Sequence, residues 1–180
     1  VAEDAAVLDL LSDGRLEIGL GSGGTPDSFL PFGLTFAERG AAFADNLHTL
    51  LSAWRGDSLG HPDNHLWPAA PQLAGRVWIA TFSVEGAIRA GQGGHGLMLS
   101  RTQPRPAGQA ERPLDTLQNP LIDAYIAALP AGIEPRILAS RTAFVAGSDH
   151  YARQVGEPGI RKQAAQYRCE ARGDRFGDLL

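Results

Sequence analysis

The sequence predicts an α/β fold with a parallel sheet. Short apolar runs of strand length alternate with longer runs of helical period. Gly-, Pro- and Ser-rich turns punctuate them. The 180 residues suit one domain with a substantial core.

Taken in order, Val1, Ala5, Leu8 and Leu11 share one helical face over residues 1–11, and Ser12-Asp13-Gly14 stops that helix. Arg15 to Leu20 reads as a short strand, and Gly21 to Phe36 as a Gly- and Pro-rich loop. Phe43, Leu47, Leu50, Leu51 and Trp54 form the stripe of a long helix. Residues 55–75 lack periodicity and read as an excursion. Arg76 to Ala80 is the second strand, Val84 to Ala90 a short helix with Ser83 as N-cap, and His95 to Ser100 the third strand. A Pro-rich loop runs from Thr102 to Pro113. Leu114, Leu117, Leu121, Tyr125 and Leu129 then mark a helix that stops at Pro130. Arg136 to Val145 is expected to be the fourth and longest strand. Ser148 caps a last helix whose first part Pro158 should limit, and a charged, Gly-rich tail from Arg168 is expected to be disordered. Alternating strands and helices fit either an open doubly wound sheet or a (β/α)8 barrel, and strand count alone does not separate them.

Composition narrows the function classes. Hydrophobic residues make up 43% and charged residues 20%, as in ordinary soluble domains. The net charge of -4, with no basic run, argues against nucleic acid as a partner. Cys169 is the single cysteine, so no internal disulfide forms and a reducing cytoplasm is the expected compartment. No apolar run approaches the ~20 residues of a membrane span. Val1-Ala2-Glu3-Asp4 lacks the basic start of a secretory signal. Val1 stands inside a helical pattern with no initiating Met, so an incomplete chain is expected.

Two loops are candidates for holding an anion. Gly19-Leu20-Gly21-Ser22-Gly23-Gly24 matches G-x-G-x-x-G after a strand. The dinucleotide context fails: Thr25-Pro26-Asp27 and Pro31 follow where a helix should begin, and no acid ends a second strand ~20 residues on. A plain glycine turn is the alternative to a loop whose amides approach a phosphate. The second loop, Thr81-Phe82-Ser83-Val84-Glu85-Gly86, joins a strand end to a helix start, where free amides attract anions. Its plain alternative is that Ser83 only caps its helix. In a parallel barrel, loops that follow strands open on one face, so these two would lie one strand apart and suit one phosphate. Ser100-Arg101-Thr102 and Ser140-Arg141-Thr142 end the next two strands, and each arginine either binds a ligand or makes an internal salt bridge. The five histidines show no metal spacing: His61 and His65 stand i,i+4, but Pro62 removes the helix that would align them. Trp54, Trp67 and Trp78 read as packing residues.

The run Leu11-Ser12-Asp13-Gly14-Arg15-Leu16-Glu17-Ile18-Gly19-Leu20-Gly21-Ser22-Gly23 resembles the LS-x-GR and glycine-strand segment of bacterial luciferase-like flavin-dependent monooxygenases. Phe32-Gly33, Glu38-Arg39, Leu50 to Trp54 and the run Ala80 to Ser100 follow the same family's order, and an FMN-dependent luciferase-like subgroup is the nearest match. The resemblance reaches to about residue 166. It implies a partial (β/α)8 TIM barrel in which residues 1–180 are one incomplete domain. Its strands would be barrel strands four to seven, with the first three and the eighth outside this chain. It further implies FMN as cofactor, with reduced FMN and O2 oxygenating a small organic substrate through a flavin peroxide. A separate flavin reductase and a homodimer are the implied partners, and the 180-residue piece alone is expected to be inactive. Carried over by resemblance, Ser22, Gly23 and Gly24 lie near the FMN phosphate, Ser83, Val84 and Gly86 form the phosphate turn, and Ser100 and Arg101 sit beside the flavin. The catalytic residues and the substrate stay unassigned. A deazaflavin (F420)-dependent oxidoreductase and a non-catalytic flavin-binding protein are the two alternatives.

Overall fold

The computed structural model describes residues 1–106, 109 and 112–169, with side chains to residue 162 in the last helix. They form two compact units. The first holds residues 1–80 with 94–96; the second holds 81–93 and the chain from Leu97 onward. In both, the strands pair in parallel and helices intervene between them in the chain, which makes the fold α/β.

The first unit begins with α1 (Ala2–Leu11), β1 (Ile18–Gly21), α2 (Arg39–Arg55) and β2 (Val77–Ala80). β1 and β2 run parallel, from Ile18 opposite Val77 to Gly21 opposite Ala80. Two 3₁₀ turns, Pro26–Phe32 and Phe36–Glu38, occupy the loop before α2, and a third, Pro71–Gly75, precedes β2. The stripe read from the sequence carries α2 into the core: Leu51 and Trp54 are buried, and Trp54 is fully enclosed. A buried indole N–H needs an acceptor, and Trp54 Nε1 donates to the Ala2 carbonyl at 3.1 Å, tying α2 to the start of α1.

The predicted helix forms as α1, but its shared apolar face is not the buried one. Val1, Leu8 and Leu11 are exposed, while Ala6 and Asp9 are the buried residues. The leucines stay outside, and Asp9 goes inside because it has three donors. The amide of Leu16 lies 3.3 Å from its Oδ1, Arg76 Nη1 lies 3.0 Å from the same oxygen, and Gln72 Nε2 lies 2.7 Å from Oδ2. A carboxylate so satisfied is stable inside, and its helix turns with it.

The second unit contains α3 (Val84–Gln92), β3 (Gly96–Leu99, from Leu97), α4 (Leu114–Ala128), β4 (Ile137–Ala139) and α5 (Asp149–Cys169). β3 and β4 are parallel, with Leu97 opposite Ile137 and Leu99 opposite Ala139. α3 packs closely on α4 because Gly91 has no side chain: a Cβ there would lie 2.5 Å from the Tyr125 carbonyl oxygen. Ala87, Ala90, Leu121 and Tyr125 are buried, and the Tyr125 hydroxyl accepts from the Arg136 amide at the start of β4.

Two expectations are corrected. β4 is the shortest strand, not the longest: its last ladder bond runs from the Ser140 amide to the Leu99 carbonyl. The β-prone residues beyond it have no neighbouring strand to pair with among the described residues, and pairing, not propensity, defines a strand. Pro158 does not limit α5, which continues through it to Cys169, and α4 likewise runs through Pro120. A proline removes one helical hydrogen bond, and a helix that gains elsewhere continues past it. The tail expected from Arg168 lies, from residue 170 onward, outside the described residues.

Candidate functional site

Each candidate loop is described within its own unit. In the first, β1 ends at Gly21 and the chain turns through Ser22, Gly23 and Gly24. Gly23 has φ +77, and a Cβ on it would meet the Phe29 ring at 2.9 Å, so both backbone and packing require glycine. Among the described residues nothing lies within 4 Å of the position a Cβ would take on Gly24, although its backbone is not without a partner. No α-helix starts here: the first after the glycines is α2 at Arg39, so the dinucleotide geometry is absent from this loop.

In the second unit, Thr81 to Gly86 forms a tight turn into α3. Thr81 Oγ1 accepts from the Ser83 amide at 3.1 Å, and Ser83 Oγ accepts from the Gly86 amide at 3.1 Å as the N-cap. Gly86 is required by the turn itself, since a Cβ there would lie 2.0 Å from Thr81 Oγ1. The cap uses the Ser83 oxygen as acceptor and leaves its hydrogen with no acceptor among the described residues. The amides of Val84 and Glu85, at the first two positions of α3, have no acceptor within the helix. Ser83, Val84 and Glu85 are exposed. Three donors on exposed residues therefore stand at a helix start, where the helix dipole favours negative charge. The Glu85 carboxylate in the same first turn opposes an incoming anion.

The ends of β3 and β4 form a polar cluster in the same unit. Ser100 Oγ lies 2.8 Å from Thr102 Oγ1 and accepts from the Thr102 amide, so this hydroxyl is committed locally. The Arg101 amide donates to Ser140 Oγ at 2.9 Å. Gln118 of α4 is buried at 1% exposure; its Nε2 donates to the Ser100 carbonyl at 2.9 Å and its Oε1 accepts from Arg141 Nη2 at 2.9 Å. Arg141 Nη1 donates to the Ser140 carbonyl at 2.8 Å. Gln103 Nε2 donates to the Phe82 carbonyl at 3.0 Å, which ties this cluster to the Ser83 turn. Arg101 Nε and Gln103 Oε1 are buried without a hydrogen-bond partner among the described residues.

The structure thus brings Ser83, Val84 and Gly86 into one turn and joins that turn to Ser100 and Arg101 through Gln103. The salt bridge considered for each arginine is not made among the described residues. Gln103 and Gln118 were missed from sequence. A glutamine in a loop and another on a helix carry no local signal, because their roles exist only once β3, β4 and α4 are side by side. Among the described residues no group of three or more His, Cys, Asp or Glu could hold a metal, and no helix is long and apolar enough to cross a membrane.

Comparison with known proteins places this geometry in context. The chain is 25% identical to monooxygenase RslO1 from Streptomyces bottropensis, with a TM-score of 0.63 over 97% of this chain and 53% of that one. It superposes with a TM-score of 0.64, at 18% identity, on the oxygenating constituent of 3,6-diketocamphane monooxygenase from the CAM plasmid of Pseudomonas putida. That protein is a type II Baeyer-Villiger monooxygenase whose structure is in complex with FMN; the match covers 99% of this chain and 53% of that one. An uncharacterized protein, y4vJ, of Sinorhizobium fredii is 30% identical over 101 residues, 52% of this chain and 29% of the relative. The chain thus spans about half the length of these solved structures and under a third of the curated relative. The family model described as luciferase-like monooxygenase matches residues 1–178, and the chain belongs to that family.

Proposed function

We propose that this chain forms part of the cofactor cleft of an FMN-dependent monooxygenase acting on a small organic substrate. Its four strands would be strands four to seven of a (β/α)8 barrel. The observation that carries the reading is the turn into α3, where the Ser83 hydroxyl and the Val84 and Glu85 amides stand ready to donate. Family membership and the FMN bound to one structural neighbour support it. The donor set fits a phosphate: the cap is built without consuming the Ser83 hydrogen, and the helix N-terminus adds favourable charge. Ser22, Gly23 and Gly24 belong to the proposal by resemblance, with open space at Gly24 in its support.

When bound, FMN supplies activation of O2 and transfer of one oxygen atom to the substrate. The chain's own residues bind and orient. Ser83, through its hydroxyl hydrogen, and Val84, through its amide, would hold the phosphate group. Ser100 and Arg101 flank the cofactor from the end of β3. A separate reductase supplies the reduced flavin, a second copy of the chain completes a homodimer, and the cytoplasm is the working compartment.

The decisive experiment is a titration of the chain with FMN, riboflavin and a deazaflavin, repeated on Ser83→Asp. Aspartate is itself a good N-cap, so the turn persists while a negative charge replaces the donor. FMN affinity should fall at least about ten-fold, roughly 1.4 kcal/mol, with riboflavin unaffected. Equal FMN affinity in the two proteins would put the phosphate elsewhere. Tighter binding of the deazaflavin would favour the hydride-transfer branch, and measurable oxygenation by the isolated chain would refute its expected inactivity.

A further inference from the structure

We infer that the ends of β3 and β4 form a binding subsite for an oxyanion, with Arg101 and Arg141 as its two charges and Gln118 and Ser140 as positioning residues. The two arginines follow paired strands whose register runs Leu97 to Leu99 against Ile137 to Ala139, and the Arg101 amide is hydrogen-bonded to Ser140 Oγ. Two arginines thus follow neighbouring strand ends: the Arg101 amide makes the bond, and Arg141 is the next residue after the serine that accepts it. Arginine stays charged at every working pH, and like charges on adjacent strands destabilise the pair. Neither arginine has a carboxylate partner among the described residues.

The arrangement around them is built, not loose. Gln118, 1% exposed, spends one end on the Ser100 carbonyl and the other on Arg141 Nη2, while the Ser140 carbonyl takes Arg141 Nη1. Both terminal nitrogens of Arg141 are thereby held although the residue is exposed, which removes part of the rotamer freedom that binding would otherwise have to remove. Arg101 contributes the second observation: its Nε is buried with no acceptor among the described residues. An unsatisfied buried donor on a cation is costly, and an oxyanion answers both the missing acceptor and the unbalanced charge. A carboxylate or a phosphate meets those needs equally. The inference stands on the arginine pair and does not require the flavin reading.

The probe is inorganic phosphate, added to the 180-residue chain at constant ionic strength. The readout is the Nε–Hε NMR signals of Arg101 and Arg141, with thermal unfolding alongside. Both signals should shift saturably, and the melting temperature should rise with phosphate, because a ligand that binds only the folded state stabilises it. Arg141 is exposed, and Arg141→Gln removes its charge while keeping an amide donor; with thermal unfolding reporting that the variant is folded, it should weaken phosphate at least about ten-fold at the Arg101 signal. Arg141→Lys keeps the charge but cannot hold both acceptors, and should recover only part of that loss. Displacement of phosphate by FMN but not riboflavin assigns the oxyanion to the cofactor, and displacement by acetate alone assigns it to a substrate carboxylate. Absent or non-saturating shifts, wild-type phosphate affinity in Arg141→Gln, or displacement by neither FMN nor acetate would each overturn the subsite. A chain that binds phosphate here but no FMN would keep this subsite and reject the flavin reading.

Discussion

Asp9 shows how one side chain sets the orientation of its helix. At 1% exposure it accepts from Leu16, Gln72 and Arg76, and Arg76 also donates to the Gly14 carbonyl, so one guanidinium ties α1 to the loop that leads to β1. Asp9→Ala leaves Arg76 and Gln72 without their acceptor. Because Arg76 keeps 31% exposure, the loss belongs at the low end for a broken buried pair, roughly 3 kcal/mol in urea unfolding. A change below about 0.5 kcal/mol, as at ordinary surface sites, would show that the network contributes little. Glu38 offers a milder case on the surface. Hydrogen bonds from the Thr35 hydroxyl and amide hold its carboxyl below the usual carboxylate value. A depressed value in the folded state means the cap's contribution is complete above the ordinary glutamate range and disappears as pH falls through the folded value. The carboxyl carbon of Glu38 should therefore titrate below the free-glutamate midpoint by NMR, and Thr35→Val should move it back up.

At the scale of elements, the α3–α4 contact depends on Gly91 in a way that hydropathy cannot express. The atom facing Gly91 is the Tyr125 carbonyl oxygen, which is backbone and cannot swing aside. Gly91→Ala should destabilise by about 1–3 kcal/mol in urea unfolding despite its better helix propensity. Gly40→Ala in α2 is the matched control, since nothing lies within 4 Å of its Cβ position, and it should gain about 0.5–1 kcal/mol. A stabilising Gly91→Ala would mean that α4 shifts freely and that the close approach is not required. The same limit of local reading explains β4, where Thr142, Phe144 and Val145 have strand chemistry but no strand beside them to complete a ladder.

For the whole molecule, the informative quantity is apolar surface left in water. Leu11, Phe32, Trp67 and Val145 are 77%, 77%, 78% and 91% exposed, and the three residues of β4 are exposed as well. Single exposed apolar residues are unremarkable, but a strand that should be core and is not marks surface that gains by being covered. The chain should therefore sediment as larger species with rising concentration and bind a hydrophobic dye, with both effects reduced by Val145→Ser and Leu11→Ser together. A sedimentation coefficient independent of concentration would count against self-association.

How much of this was legible depends on the range of the cause. The alternation of strands and helices, the α2 stripe ending at Trp54, and the Ser83 cap were all readable, because each rests on neighbours within a few residues along the chain. The LS-x-GR and glycine segment was enough to indicate the family, since motif order survives without coordinates. What only the tertiary structure decided was which face of α1 is buried, how long β4 is, and which polar groups meet at the strand ends. Asp9 needs Arg76, 67 residues away, and Arg141 needs Gln118, 23 residues away, before either has a role. Partners that far apart in sequence are chosen by packing, and no local pattern of hydropathy or propensity records that choice.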